Sequence, residues 1–83
     1  MRALVIGYGS IGQRHARLLV ELGVDTAVLS GRTIDFPLQY HDLDEAVRRF
    51  NPGYIVIANK TSAHYETLNR LTKMGWQGSI LVE

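Results

Sequence analysis

Three glycines, Gly7, Gly9 and Gly12, stand at the spacing G-x-G-x-x-G between an apolar run and a helical pattern. After a strand and at the opening of a helix, that spacing suits a dinucleotide. Gly7 allows a sharp turn, Gly9 leaves the backbone bare for a pyrophosphate, and Gly12 lets the helix pack against the strand. Tyr8 lies within the loop. The amides of Ser10, Ile11 and Gly12 have no partner inside the helix, and with the helix dipole they form an anion site. The same spacing also serves a bare strand-to-helix turn in which glycine is kept for packing alone. The position of the motif, after a first strand and at the right distance from a second, favours the ligand.

The end of the second strand reads "LSGRT", with Ser30, Gly31 and Arg32 where an NAD site commonly carries an acid. A carboxylate there would repel a 2′-phosphate, whereas a hydroxyl and a guanidinium can bind one. NADP is therefore favoured over NAD; the alternative is that Arg32 is an ordinary solvated loop charge. A third stretch, "IANKTSAH", ends the fourth strand. The expected topology brings it beside the glycine loop, where ligands sit. Ala58, Asn59 and Thr61 are candidates for cofactor contacts, and Thr61 or Ser62 for a helix cap. His64 either approaches the cofactor or lies in a first helical turn. His15, four residues after Ile11, reads as a satisfied, partly buried histidine, and His41 as structural. The histidines show no metal-ligand spacing, and the acids of "DLDEA" suit a helix start better than a metal. No Ser-His-Asp or paired-carboxylate arrangement can be argued.

The elements that must position these residues follow from periodicity. Residues 2–6 read as a buried strand, and residues 10–22 as a helix with the stripe Ile11, Leu18, Leu19 and Leu22, stopped by Gly23. A second strand spans 25–30, a loop 31–37 and a short third strand 38–40. Asp42 caps a helix through Ala46, Val47 and Phe50, with Glu45 at capping-box spacing, and Asn51-Pro52-Gly53 ends it. Residues 54–58 form a strand. The next helix is expected to carry Tyr65, Leu68, Leu71 and Met74 inward, and residues 79–83 are a last strand. Four strands are continuous apolar runs, the signature of a parallel sheet covered on both faces. Right-handed crossovers then give an α/β, doubly wound parallel sheet of order 3-2-1-4-5.

The chain has 83 residues, enough for one domain over 1–83. A net charge of +1 without a basic stripe gives no reason to expect nucleic acid. Cysteine is absent, so disulfides and thiolate metal sites are excluded. The apolar runs are too short for a membrane span, and the N-terminus lacks the pattern of a signal peptide. A cytoplasmic protein without membrane partners is expected.

The stretches "ALVIGYGSIGQRHARLL", "YIVIANKTSAHYETL" and "GSILVE" resemble the N-terminal half of the glucose–fructose oxidoreductase and inositol dehydrogenase family, Gfo/Idh/MocA. The resemblance spans nearly the whole chain. It implies a nicotinamide-binding Rossmann domain and a parent that oxidises a sugar, polyol or nucleotide-linked sugar by hydride transfer. The family's Ala-Thr-Pro-Asn, with His three residues later, stands here as Ala58, Asn59, Lys60 and Thr61, with His64. The family's fifth strand ends in Glu-Lys-Pro; the Glu, here Glu83, helps hold the cofactor, and the Lys serves substrate binding and catalysis. The resemblance therefore implies a longer parent, with the sixth strand and the sugar-binding domain outside these residues and no catalytic residue within them. Sheet edge left open by their absence would invite a homo-oligomer. Two other readings use the same anion site: a non-catalytic nucleotide-sensing regulatory module, and a CoA-binding domain.

Overall fold

Residues 1–83 are described by a computed structural model. The chain forms five strands, β1 (Arg2–Ile6), β2 (Asp25–Leu29), β3 (Gln39–Tyr40), β4 (Tyr54–Ile57) and β5 (Ser79–Val82), and three helices, α1 (Ser10–Glu21) between β1 and β2, α2 (Leu43–Phe50) between β3 and β4 and α3 (Thr61–Lys73) between β4 and β5. Every pairing is parallel, and the sheet order is β3-β2-β1-β4-β5, the expected 3-2-1-4-5. The chain has a Rossmann-like fold. No helix is long and apolar enough to cross a membrane.

The central strand explains its own composition. Ala3, Leu4 and Val5 are fully buried because helices or loops cover both faces of β1. Leu4 and Ile6 of β1 and Ile55 and Ile57 of β4 face one side, packing with Leu43, Ala46 and Phe50 of α2 and Leu71 of α3. Val5, Val28 and Val56 face the other, against Ala16 of α1. No helix joins β2 to β3. Ile34 and Phe36 of that loop cover the sheet beside α1 instead.

Two helices turn differently from their apolar patterns. The stripe expected to bury α1 does not: Ile11, Leu18 and Leu22 are 51%, 47% and 77% exposed. Gly12 and Ala16 are buried in their place, with His15 and Leu19 half-buried. Small side chains let the helix lie close to the sheet, and that close approach rotates the larger apolar row to the flank. On α3, Tyr65 is 80% exposed, whereas Leu71 is buried and Leu68 and Met74 are partly buried. Thr67 is buried too. Its hydroxyl donates to the Ala63 carbonyl at 3.0 Å and accepts from Asn59 Nδ2 at 3.1 Å, so its polarity is compensated.

Helix starts also differ. Asp42 caps α2, its Oδ2 accepting from the Glu45 amide at 3.0 Å, with Asp44 and Glu45 in the first turn. The Glu45 carboxylate pairs with Arg49. Lys60 rather than Thr61 or Ser62 is the N-cap of α3, and no side chain caps that helix.

Candidate functional site

The C-terminal ends of β1, β2 and β4 meet at Gly7. Its amide donates to the Leu29 carbonyl at 2.9 Å, and the Ala58 amide donates to the Ile6 carbonyl at 2.8 Å. Gly7 has φ +100°, and a Cβ there would lie 2.7 Å from the Ala58 oxygen, so glycine is required twice over. A Cβ on Gly12 would collide with the Gly7 carbonyl oxygen. Gly9 is different: no atom lies within 4 Å of where its Cβ would be. It is the N-cap of α1, which has neither a side-chain cap nor an acid in its first turn. The first helical bond runs from the Gln13 amide to the Gly9 carbonyl at 2.9 Å. The amides of Ser10, Ile11 and Gly12 therefore remain available to an anion.

Two cavities flank this junction. The larger, about 490 Å³, runs along the glycine loop from Gly7 to Ile11 and is bordered on the other side by Ala58, Asn59 and Lys60. It contains a cation, Lys60, and no carboxylate. The smaller, about 270 Å³, lies towards α2; Ser30, Gly31, His41, Asp42 and Arg70 supply its polar wall. Gly7 and Asn59 border both.

Gly7, Tyr8, Gly9, Ser10, Ile11, Ala58 and Asn59 are thus brought together on the larger cavity, with Ser30 and Gly31 on the smaller. Gly12 lies beneath the loop. Arg32 lines neither cavity, but its Nη2 donates to the Tyr8 carbonyl at 2.9 Å, bridging the β2 end to the glycine loop. Tyr8 also meets Phe36 edge-on, with ring centroids 6.0 Å apart. Thr61 is exposed on the first turn of α3. His64 is half-buried, and its Nε2 donates to the Asn59 carbonyl at 3.0 Å, fixing the β4 end. Glu83 accepts from His15 Nε2 at 2.9 Å, which ties α1 to the end of β5. Thr61, His64 and Glu83 lie off both cavity walls.

Lys60, His41, Asp42 and Arg70 also line the cavities, although their sequence context alone does not mark them as ligand-binding. The nearest to a signal is the positive charge of Lys60 inside the "IANKTSAH" tip. His41 is held by Nδ1, which donates to the Ser30 carbonyl at 3.1 Å. Arg70 reaches the site from far along α3 while pairing with Asp44 at 3.3 Å, a contact no local pattern announces. Asn59 Oδ1 is buried without a hydrogen-bond partner. The His, Asp and Glu side chains form no cluster suited to a metal ion. Comparison with protein-family models, curated proteins and solved structures finds no match to this chain.

Proposed function

We propose that this chain is the nicotinamide dinucleotide-binding domain of an oxidoreductase acting on a sugar, polyol or nucleotide-linked sugar, and that it prefers NADP to NAD. The observation that carries the reading is the bare backbone at Gly9, leading into an uncapped α1 whose first three amides are free. The cavity suits a diphosphate: Ser10 and Ile11, whose amides have no partner in the chain, line it, no carboxylate does, and Lys60 adds positive charge. When bound, the dinucleotide supplies hydride-transfer chemistry; this chain's residues bind and orient it.

Preference for the 2′-phosphate rests on the β2 end. Residues 29–33 carry Ser30 and Arg32 and no acid, while Asp42 borders the cavity that Ser30 lines. Arg32 uses Nη2 on Tyr8, and a guanidinium has five N–H donors, so others remain for a phosphate. Acid–base chemistry on the substrate belongs to the longer parent that the family resemblance implies. Titration with NADPH, NADH and CoA tests the proposal. Saturable binding is expected, tightest for NADPH; no saturable signal with either nicotinamide nucleotide overturns it.

A further inference from the structure

The geometry points to Gln39 as a positioning residue that holds the loop carrying Ser30 and Arg32, and so sets the discrimination between nucleotides with and without a 2′-phosphate. This rests on the dinucleotide reading above. The loop's feet are in the sheet, where Val28 donates to the Leu38 carbonyl and Ser30 to the Tyr40 carbonyl. Between them, residues 31–37 make no backbone–backbone hydrogen bond. The Gln39 side chain supplies what is missing. Its Nε2 donates to the Arg32 carbonyl at 2.6 Å and the Ser30 carbonyl at 3.4 Å, and its Oε1 accepts from the Ile34 amide at 3.2 Å. The partners fix the orientation of the amide, because carbonyls only accept and a peptide N–H only donates.

One side chain thus ties three successive alternate residues of a loop whose other ties are the Arg32 amide to Ser30 Oγ at 3.4 Å, the Arg32 guanidinium to the Tyr8 carbonyl, His41 to the Ser30 carbonyl, and the packing of Ile34 and Phe36. Its shortest contact falls on the residue whose guanidinium reaches the glycine loop. Loss of the clamp frees the Arg32 backbone, so a 2′-phosphate must order the loop as it binds, a cost the clamped loop avoids. NADH, which asks nothing of Arg32, is spared.

The test compares wild type with Gln39→Leu, which removes all three contacts, and Gln39→Glu, which keeps only the acceptor. The expected result is roughly tenfold weaker NADPH binding with NADH changed less than about twofold. In an Arg32→Ala background, Gln39→Leu should then add little to the loss of discrimination. Hydrogen exchange at the Ile34 amide, read without nucleotide, should be faster in Gln39→Leu. If Leu prevents folding, Gln39→Glu carries the nucleotide comparison alone, because it keeps the acceptor of the Ile34 amide. Unchanged NADPH-to-NADH discrimination, equal loss for both nucleotides, or unchanged Ile34 exchange overturns the inference while leaving the dinucleotide site standing. A wild type that binds neither nucleotide overturns both.

Discussion

Adding one methyl group at Gly12 should separate the architectural glycine from the ligand-facing one. A Cβ there would collide with the Gly7 carbonyl oxygen and lie 2.9 Å from the Gly7 carbonyl carbon, with Val5 Cγ1 at 3.7 Å. Two of these neighbours are backbone atoms of the turn that joins β1 to α1, so no side chain can swing aside. The helix must withdraw by roughly 1 Å to restore ordinary contact. Overpacking of this kind costs about 1–3 kcal/mol, and a rigid neighbour puts Gly12→Ala at the upper end. Better helix propensity returns about 1 kcal/mol. The net loss is about 2 kcal/mol, which for a domain of this size lowers Tm by about 8–16 °C. Gly9→Ala is the companion, because its Cβ enters open space and its φ of −77° suits alanine. It should cost less than about 1 kcal/mol of stability, yet weaken NADPH binding by crowding the diphosphate approach. Thermal and urea unfolding, followed by circular dichroism, measure the first effect, and nucleotide titration the second. A Gly12→Ala protein melting within roughly 2 °C of wild type would refute the close-packing account.

Arg32→Ala should cost NADPH binding about 1–3 kcal/mol and NADH much less. Titration of both nucleotides checks this, and equal losses would remove the 2′-phosphate assignment. Raising the salt concentration should narrow the wild-type preference, as screening weakens the contact. Asp42→Ala removes the only side-chain cap in the three helices and should cost about 1 kcal/mol, visible as a Tm lower by about 4–8 °C. Thr67→Val keeps shape but strips the hydroxyl from the Asn59 amide, and should cost about 1–3 kcal/mol in urea unfolding. An unchanged denaturation midpoint would mean that Asn59 finds another partner.

Strand order was legible because β1, β2 and β4 are buried on both faces, and two-sided burial writes a continuous apolar run. The glycine loop was legible because Gly7 and Gly12 are demanded by backbone contacts within a few residues or across adjacent strands. Helix facing was not. The row Ile11, Leu18 and Leu22 looks like a core stripe, but closeness to the sheet selected Gly12 and Ala16, whose smallness hides them from a hydrophobicity pattern. Thr67 was hidden for the opposite reason, a polar type made buriable by two local hydrogen bonds. Lys60 and Asn59 fell inside a stretch already marked by its place at a strand end. Gln39 and Arg70 act through contacts with a loop and with another helix, so nothing in their own neighbourhood marks them.

The sheet's order also bears on the timing of synthesis. The middle strand, β1, is translated first, but its two neighbours are residues 25–29 and 54–57. At about 5–20 residues per second, it waits roughly 3–10 s before the second flank even exists. Throughout that interval the apolar run Ala3–Ile6 has at most one neighbouring strand, which makes it the natural handhold for a chaperone.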